Sequence, residues 1–172
     1  MLSVEEYLRT DYEPHCEYLD GVLKPKAVPD YLHSRLQTLL LLAIAAQGPK
    51  LGIEGLAELH SRSTPTRWRL PDVCVLTRPP ADGRYPDSET PALFTSEIVS
   101  KDEPWTDLRD KLADHLAMGV QTVILADPYS KAVMVATQSE PLREISSPLV
   151  VNISVPDAGV LQIDFDDLYR RL

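Results

Sequence analysis

The sequence predicts a mixed α/β fold, a mixed β-sheet flanked by helices, and three observations lead there. Hydrophobic residues switch between helical spacing and short strand-like runs in the order α, ββ, α, then a series of strands interrupted by one long helix. Residues 93–126 read as strand–helix–strand, the unit that joins parallel strands by a right-handed crossover. At 172 residues, 44% of them hydrophobic, the chain predicts one domain over residues 1–172, since half that length makes a poor core.

Each element has a local cause. Ser3 and Glu6 form a capping box, so a helix is expected from Val4 to Thr10. Asp20-Gly21 supplies the positive φ angles of a tight hairpin between Glu17-Tyr18-Leu19 and Val22-Leu23. Asp30 is an N-cap for a helix in which Tyr31, Leu32, Leu36, Leu39, Leu40 and Ala43 recur at helical spacing as far as Gln47. Gly48-Pro49 is expected to stop it. Strands are predicted over 53–60 and 68–77, joined by a polar connection. The Pro-containing stretch from Arg78 to Pro91, with Asp82-Gly83, reads as an exposed loop.

Beyond that loop, 93–99 is a strand. Trp105, Leu108, Leu112 and Leu116 then mark one face of a helix that ends at Gly119. Residues 122–126 are almost continuously apolar, the pattern of a strand buried on both faces. Asp127-Pro128 opens a turn into a strand over 131–137. A strand near 149–154 and a helix from Phe165 complete the chain.

Composition excludes several classes. Seven Gly and two Cys rule out collagen-like and disulfide-scaffold chains. The start, MLSVEEYLRT, has no secretion-signal pattern, and the most apolar run, Leu39 to Ala46, is too short for a membrane span. Cys16 and Cys74 therefore read as reduced thiols in a cytoplasmic protein. With 26 acidic against 17 basic side chains the net charge is −9, which argues against tight, general nucleic-acid coating. Arg62, Arg67 and Arg69 form a local basic stretch that reads either as a phosphate contact or as a solvated hairpin.

Chemistry is suggested where charge interrupts apolar strands. Asp72, after Pro71 in RLPDVCVL, and Glu97, in LFTSEIV, are carboxylates where an unpaired charge costs several kcal/mol. On neighbouring strands they would converge on a divalent cation such as Mg²⁺, which takes one or two carboxylates and keeps several waters. The alternative has Asp72 capping a strand end and Glu97 facing water. Lys111 lies beside the apolar stripe of its helix, either reaching the sheet or pairing with Asp107 or Asp114. Glu17 is a further acidic candidate or an outward strand residue, and His33 a phosphate or proton partner or an ordinary helical histidine. No nucleophile elbow, Gly-rich phosphate loop or zinc spacing is present.

The order of these pieces resembles a family. VEEYL, CEYLDGVL, the helix with His33, RLPDVCVL, SEIVS, DLRDK with MGV, VILADP and DDLYRRL are together similar to the putative restriction endonuclease family. These are small bacterial proteins of the PD-(D/E)XK nuclease superfamily. The resemblance implies a restriction-endonuclease-like core, with Asp72 and Glu97 as the acidic residues of the superfamily's two motifs and Mg²⁺ or Mn²⁺ as cofactor. It implies hydrolysis of DNA phosphodiester bonds. Val99 departs from the pattern, which has a lysine two residues after the second acid. The resemblance gives that role to Lys111, with Lys101 as a competitor, and matches Glu17 to an acid of the first hairpin and His33 to a recurrent helix position. Cys16 stands where a tyrosine is frequent.

Two other classes remain open at this level. One is a nuclease-fold binding or regulatory module with little catalysis, favoured by Val99 and by the net charge. The other is an interaction protein whose acids are merely solvated. The nuclease reading expects weak, salt-sensitive DNA binding, with Arg67, Arg69 and His33 as candidate contacts, no membrane partner, and a homodimer as the simplest way to cut both strands.

Overall fold

Ser3 caps the first helix as predicted: its Oγ accepts the Glu6 N–H at 3.1 Å, and α1 runs Val4–Arg9. The structure, a computed structural model, describes residues 2–172. Asp20 and Gly21 take φ angles of 52° and 93° and turn β1 (Cys16–Leu19) into β2 (Val22–Pro25). There follow α2 (Tyr31–Leu51), β3 (Glu54–Ala57), β4 (Ser61–Thr64), β5 (Arg67–Arg69), β6 (Val73–Leu76) and β7 (Phe94–Ile98). After α3 (Trp105–Met118) come β8 (Thr122–Asp127), β9 (Ala132–Thr137), β10 (Arg143–Glu144), β11 (Val150–Val155), β12 (Gly159–Asp164) and α4 (Phe165–Arg170).

The strands form a mixed six-stranded sheet, β10–β9–β8–β7–β6–β3, an antiparallel four-stranded sheet, β2–β1–β5–β4, and the hairpin β11–β12. The strand–helix–strand unit is present as read: β7 and β8 are parallel neighbours joined by α3. One face of the six-stranded sheet presents Val73, Val75, Phe94, Ile98 and Ile124 to Leu36, Leu40 and Ile44 of α2, and to β11, β12 and α4. The other presents Cys74, Val123 and Leu125 to Leu108 and Leu112 of α3. Strand β7 lies between these layers and is buried throughout. Its carboxylate therefore has no water to fall back on.

Three local readings needed correction. The strand expected over 68–77 is two strands in two sheets, because Pro71 has no N–H to continue a ladder. The polar connection before it contains β4, which pairs with β5. The second helix does not stop at Gly48-Pro49 but continues to Leu51, and Gly52, at φ 64°, caps it. Burial of Leu51 and Ile53, about 2 kcal/mol each, exceeds the roughly 3 kcal/mol that a helical proline costs. Gly48 permits the return of the chain, since a Cβ there would lie 2.8 Å from the Ile53 carbonyl oxygen. Strand β12 was not foreseen at all.

Cys16 and Cys74 are both free and buried, in keeping with reduced thiols. Among the described residues no helix is long and apolar enough to cross a membrane.

Candidate functional site

His33 shares the inward stripe of α2 with Leu36, Leu40 and Ile44, so the helix that packs the core also delivers an imidazole to its edge. Its Nε2 lies 3.2 Å from Asp72 Oδ2. Asp72 follows Pro71 at the start of β6, and the same Oδ2 accepts the Ile98 N–H from β7 at 2.7 Å. The other oxygen, Oδ1, faces Lys26 Nζ at 2.8 Å. Lys26 comes from the end of the β1–β2 hairpin, donates also to the Leu70 carbonyl at 2.7 Å, and lies 3.5 Å from Glu58 Oε1. Burial works to raise the Asp72 pKa, but the Lys26 ammonium and the His33 contact outweigh it and hold the carboxyl below the usual range.

The register of β6 and β7 pairs Val73 with Ser96, so the next position inward sets Asp72 beside Glu97. Glu97 points to the α3 side, where His115 Nε2 meets Oε1 at 2.8 Å and Lys111 Nζ stands 3.8 Å from Oε2. Lys111 and His115 lie one turn apart on the buried face of α3, and Lys111 also donates to Glu103 Oε1 at 2.6 Å. Burial opposes the charge on Lys111, yet Glu97, Glu17 and Glu103 outweigh it and raise its pKa.

Beside them lies a pocket lined by Lys26, His33, Asp72, Ser100, Glu103 and Lys111; Glu97 and His115 do not line it, and Glu97 meets it only through Lys111. Its interior is only ≈ 10 Å³, room for about one water-sized group. Each carboxylate has one oxygen anchored by groups of the fold and the other turned to a lysine. Counting acids and lysines alone, Glu58, Asp72, Glu97 and Glu103 face Lys26 and Lys111, an excess of two negative charges. Among the described residues no three His, Cys, Asp or Glu side chains stand close enough to hold a metal ion. A cation caged by protein alone therefore does not fit. What the strand register does set side by side is a pair of carboxylates, Asp72 and Glu97, the oxygen donors that a partly hydrated Mg²⁺ would use.

Other predicted residues are placed differently. Glu17 is buried against Arg69, whose Nη1 is 2.7 Å from Glu17 Oε2, and it accepts the Leu70 N–H. Arg69, 1% exposed, also binds Asp114 at 2.6 Å and has no surface to offer a phosphate. Arg67 is held by Asp114 and Asp20. Together these groups tie β1 and β5 to α3, so the expected phosphate contacts are structural ion pairs here. Lys101 is exposed in the loop after β7, whereas Lys111 is buried in the pocket. Sequence reasoning missed Lys26, Glu58, Glu103 and His115. Only His115 had a readable signal, since it lies four residues after Lys111 on the same helix face.

A sequence profile of a family described as putative restriction endonuclease matches residues 4–163. The crystal structure of a putative nuclease from Anabaena variabilis aligns with 99% of this chain and 98% of its own, at 22% identity and a TM-score of 0.80. That likeness establishes the fold. A cryo-EM structure of a DrdV–DNA complex aligns with 81% of this chain and 13% of its own, at 14% identity and a TM-score of 0.37, too distant to bear on the argument. No curated protein matches.

Proposed function

The chain belongs to the putative restriction endonuclease family, and from that premise we propose that it hydrolyses DNA phosphodiester bonds at the pocket lined by Asp72 and Lys111, with Glu97 beside Lys111. The observation that carries this reading is the pairing of two buried carboxylates on adjacent strands, each with one oxygen fixed and one turned to an ammonium group. Asp72 and Glu97 would hold Mg²⁺ or Mn²⁺, which supplies charge to the scissile phosphate and acidifies a bound water.

The chain's own groups then divide the work. The Ile98 N–H and His33 fix Asp72 Oδ2, and His115 fixes Glu97 Oε1, so neither carboxylate can turn away. Lys111, kept charged by its acidic neighbours, orients the attacking water and offsets the negative charge that grows in the transition state. Lys26 adds a second ammonium on the Asp72 side of the pocket. Glu17 acts through Arg69, as a brace between β1 and β5, and not on a second cation.

The test is incubation of plasmid and of short single- and double-stranded DNA with Mg²⁺ or Mn²⁺. Cleavage is expected from the native chain, none from Asp72→Asn or Glu97→Gln, and about 100-fold less from Lys111→Ala. Cleavage that survives Asp72→Asn unchanged sinks the proposal. A second reading, a nuclease-fold binding module with little catalysis, is favoured by Val99, which carries no charge two residues after Glu97, and by the net charge of −9. Calorimetric Mn²⁺ binding that Asp72→Asn abolishes, without cleavage of any DNA, is the result that reading requires. The net charge of −9 repels the DNA backbone, so binding is weak under either.

A further inference from the structure

We propose that the apolar pocket walled by Trp105 receives a nucleobase of the DNA strand whose phosphate enters the pocket lined by Asp72 and Lys111. The inference rests on the nuclease reading and adds a substrate class to it: a strand with an unstacked base.

The helical spacing of Trp105, Leu108 and Leu112 predicts one buried stripe, but the three residues part company. Leu108 and Leu112 are 2% and 3% exposed, while Trp105 is 45% exposed. Trp105 is the first residue of α3, directly after Pro104, and side chains in a helix lean toward its N-terminus. The indole is therefore left half open to solvent at the N-terminal end of the helix. With Val99, Leu108, Leu125 and Met134 it encloses a pocket of ≈ 280 Å³. That is just below the roughly 300–1,000 Å³ of sites for drug-sized ligands, and suits one planar heterocycle.

Two features select a base as the occupant. Glu103 lines both this pocket and the one holding Asp72, and its carboxylate takes the Lys111 ammonium at 2.6 Å. The pockets thus share a wall, and in a nucleic acid the group joined to a phosphate is a nucleoside. Glu103 and Asp127 also line the apolar pocket. Glu103 Oε1 takes Lys111, and Asp127 accepts from the Tyr129 and Ser130 N–H groups and the Ser130 hydroxyl; their negative charge repels phosphate, and their remaining lone pairs can accept from the amino groups of bases. An indole face at the mouth completes a stacking platform that tolerates any base. A base seated there has left its own stack, so single-stranded DNA, or a duplex opened at that step, is the preferred substrate.

The intrinsic fluorescence gives a direct readout, because the only other tryptophan, Trp68, is buried. The native chain is titrated with a single-stranded 12-mer, the blunt 12-base-pair duplex, and 12-mers carrying one abasic site at each position in turn. We expect quenching and tighter binding with the single strand. Trp105→Leu should weaken that binding roughly tenfold and Trp105→Phe by less than twofold. One abasic position should cost the native chain about the same tenfold and cost Trp105→Leu nothing. If DNA is cut but neither Trp105→Leu nor any abasic site matters, or if the duplex binds more tightly, the base pocket is wrong and the nuclease reading stands. If no DNA is bound or cut at all, both fall.

Discussion

Lys26 Nζ stands 2.8 Å from Asp72 Oδ1, and both side chains are nearly sealed from water. Lys26 is thus the buried counter-charge of the proposed cation-binding aspartate, brought to it from a hairpin 46 residues earlier in the chain. Lys26→Met should leave Asp72 with only His33 and the Ile98 N–H. Removing one partner of a buried pair strands the other, and the expected loss is about 3 kcal/mol at neutral pH. Urea denaturation measures it, and a loss below 1 kcal/mol would show that water reaches Asp72 freely.

The same pair sets a pH dependence. Burial raises the Asp72 pKa, Lys26 and His33 lower it, and the net result lies below the usual carboxylate range. A group depressed in the folded state adds stability that is complete above its unfolded pKa of about 3.9 and is lost as pH falls through the folded value. Native protein should therefore keep this contribution well into acid. Lys26→Met should unfold at a higher pH, by about one unit, in acid titrations followed by circular dichroism. Coincident acid midpoints would contradict the assignment.

His115 positions Glu97 without reaching the pocket itself. Partners that orient a metal-binding carboxylate are worth about 10–100-fold in metal affinity. His115→Ala should lose that much Mn²⁺ affinity by calorimetry, and His115→Gln, which keeps a donor, should lose less. Equal losses in the two variants would point to a packing effect alone.

Arg69 joins Glu17 of β1 to Asp114 of α3 through Nη1 and Nε. A lysine has no such fork, so Arg69→Lys and Arg69→Met should both cost about 3–5 kcal/mol in chemical denaturation. Mn²⁺ affinity of the folded fraction should stay within about twofold of native, since neither carboxylate of the proposed cation site touches Arg69. A larger drop in affinity would bring Glu17 back into the cation site.

Much of the framework was legible because its causes are local. Asp20-Gly21 needs positive φ, Ser3 caps the helix that follows it, and Gly119, at φ 102°, ends α3 where the apolar stripe ends. Asp72 and Glu97 could be singled out because a carboxylate within an apolar strand demands a partner. The partners themselves were not legible. Lys26 sits in a Pro-flanked connection without periodicity, and Glu58 and Glu103 in short linking segments, so nothing local says where their side chains point. Arg67 and Arg69 show the complementary limit: their partner Asp114 comes from a helix 45 or more residues away, which a basic run in the sequence does not announce. The extra turn of α2 past Pro49 and the break at Pro71 were likewise decided by packing and sheet pairing.

The long connection from Arg78 to Pro91 joins two strands that pair directly, β6 and β7. A single cut at Asp82-Gly83 would leave Lys26, His33 and Asp72 on one fragment and Glu97, Lys111 and His115 on the other. Neither fragment owns a usable centre. The pocket is a property of their reunion, and recovery of cation binding on mixing the two pieces would make this chain a reporter of its own reassembly.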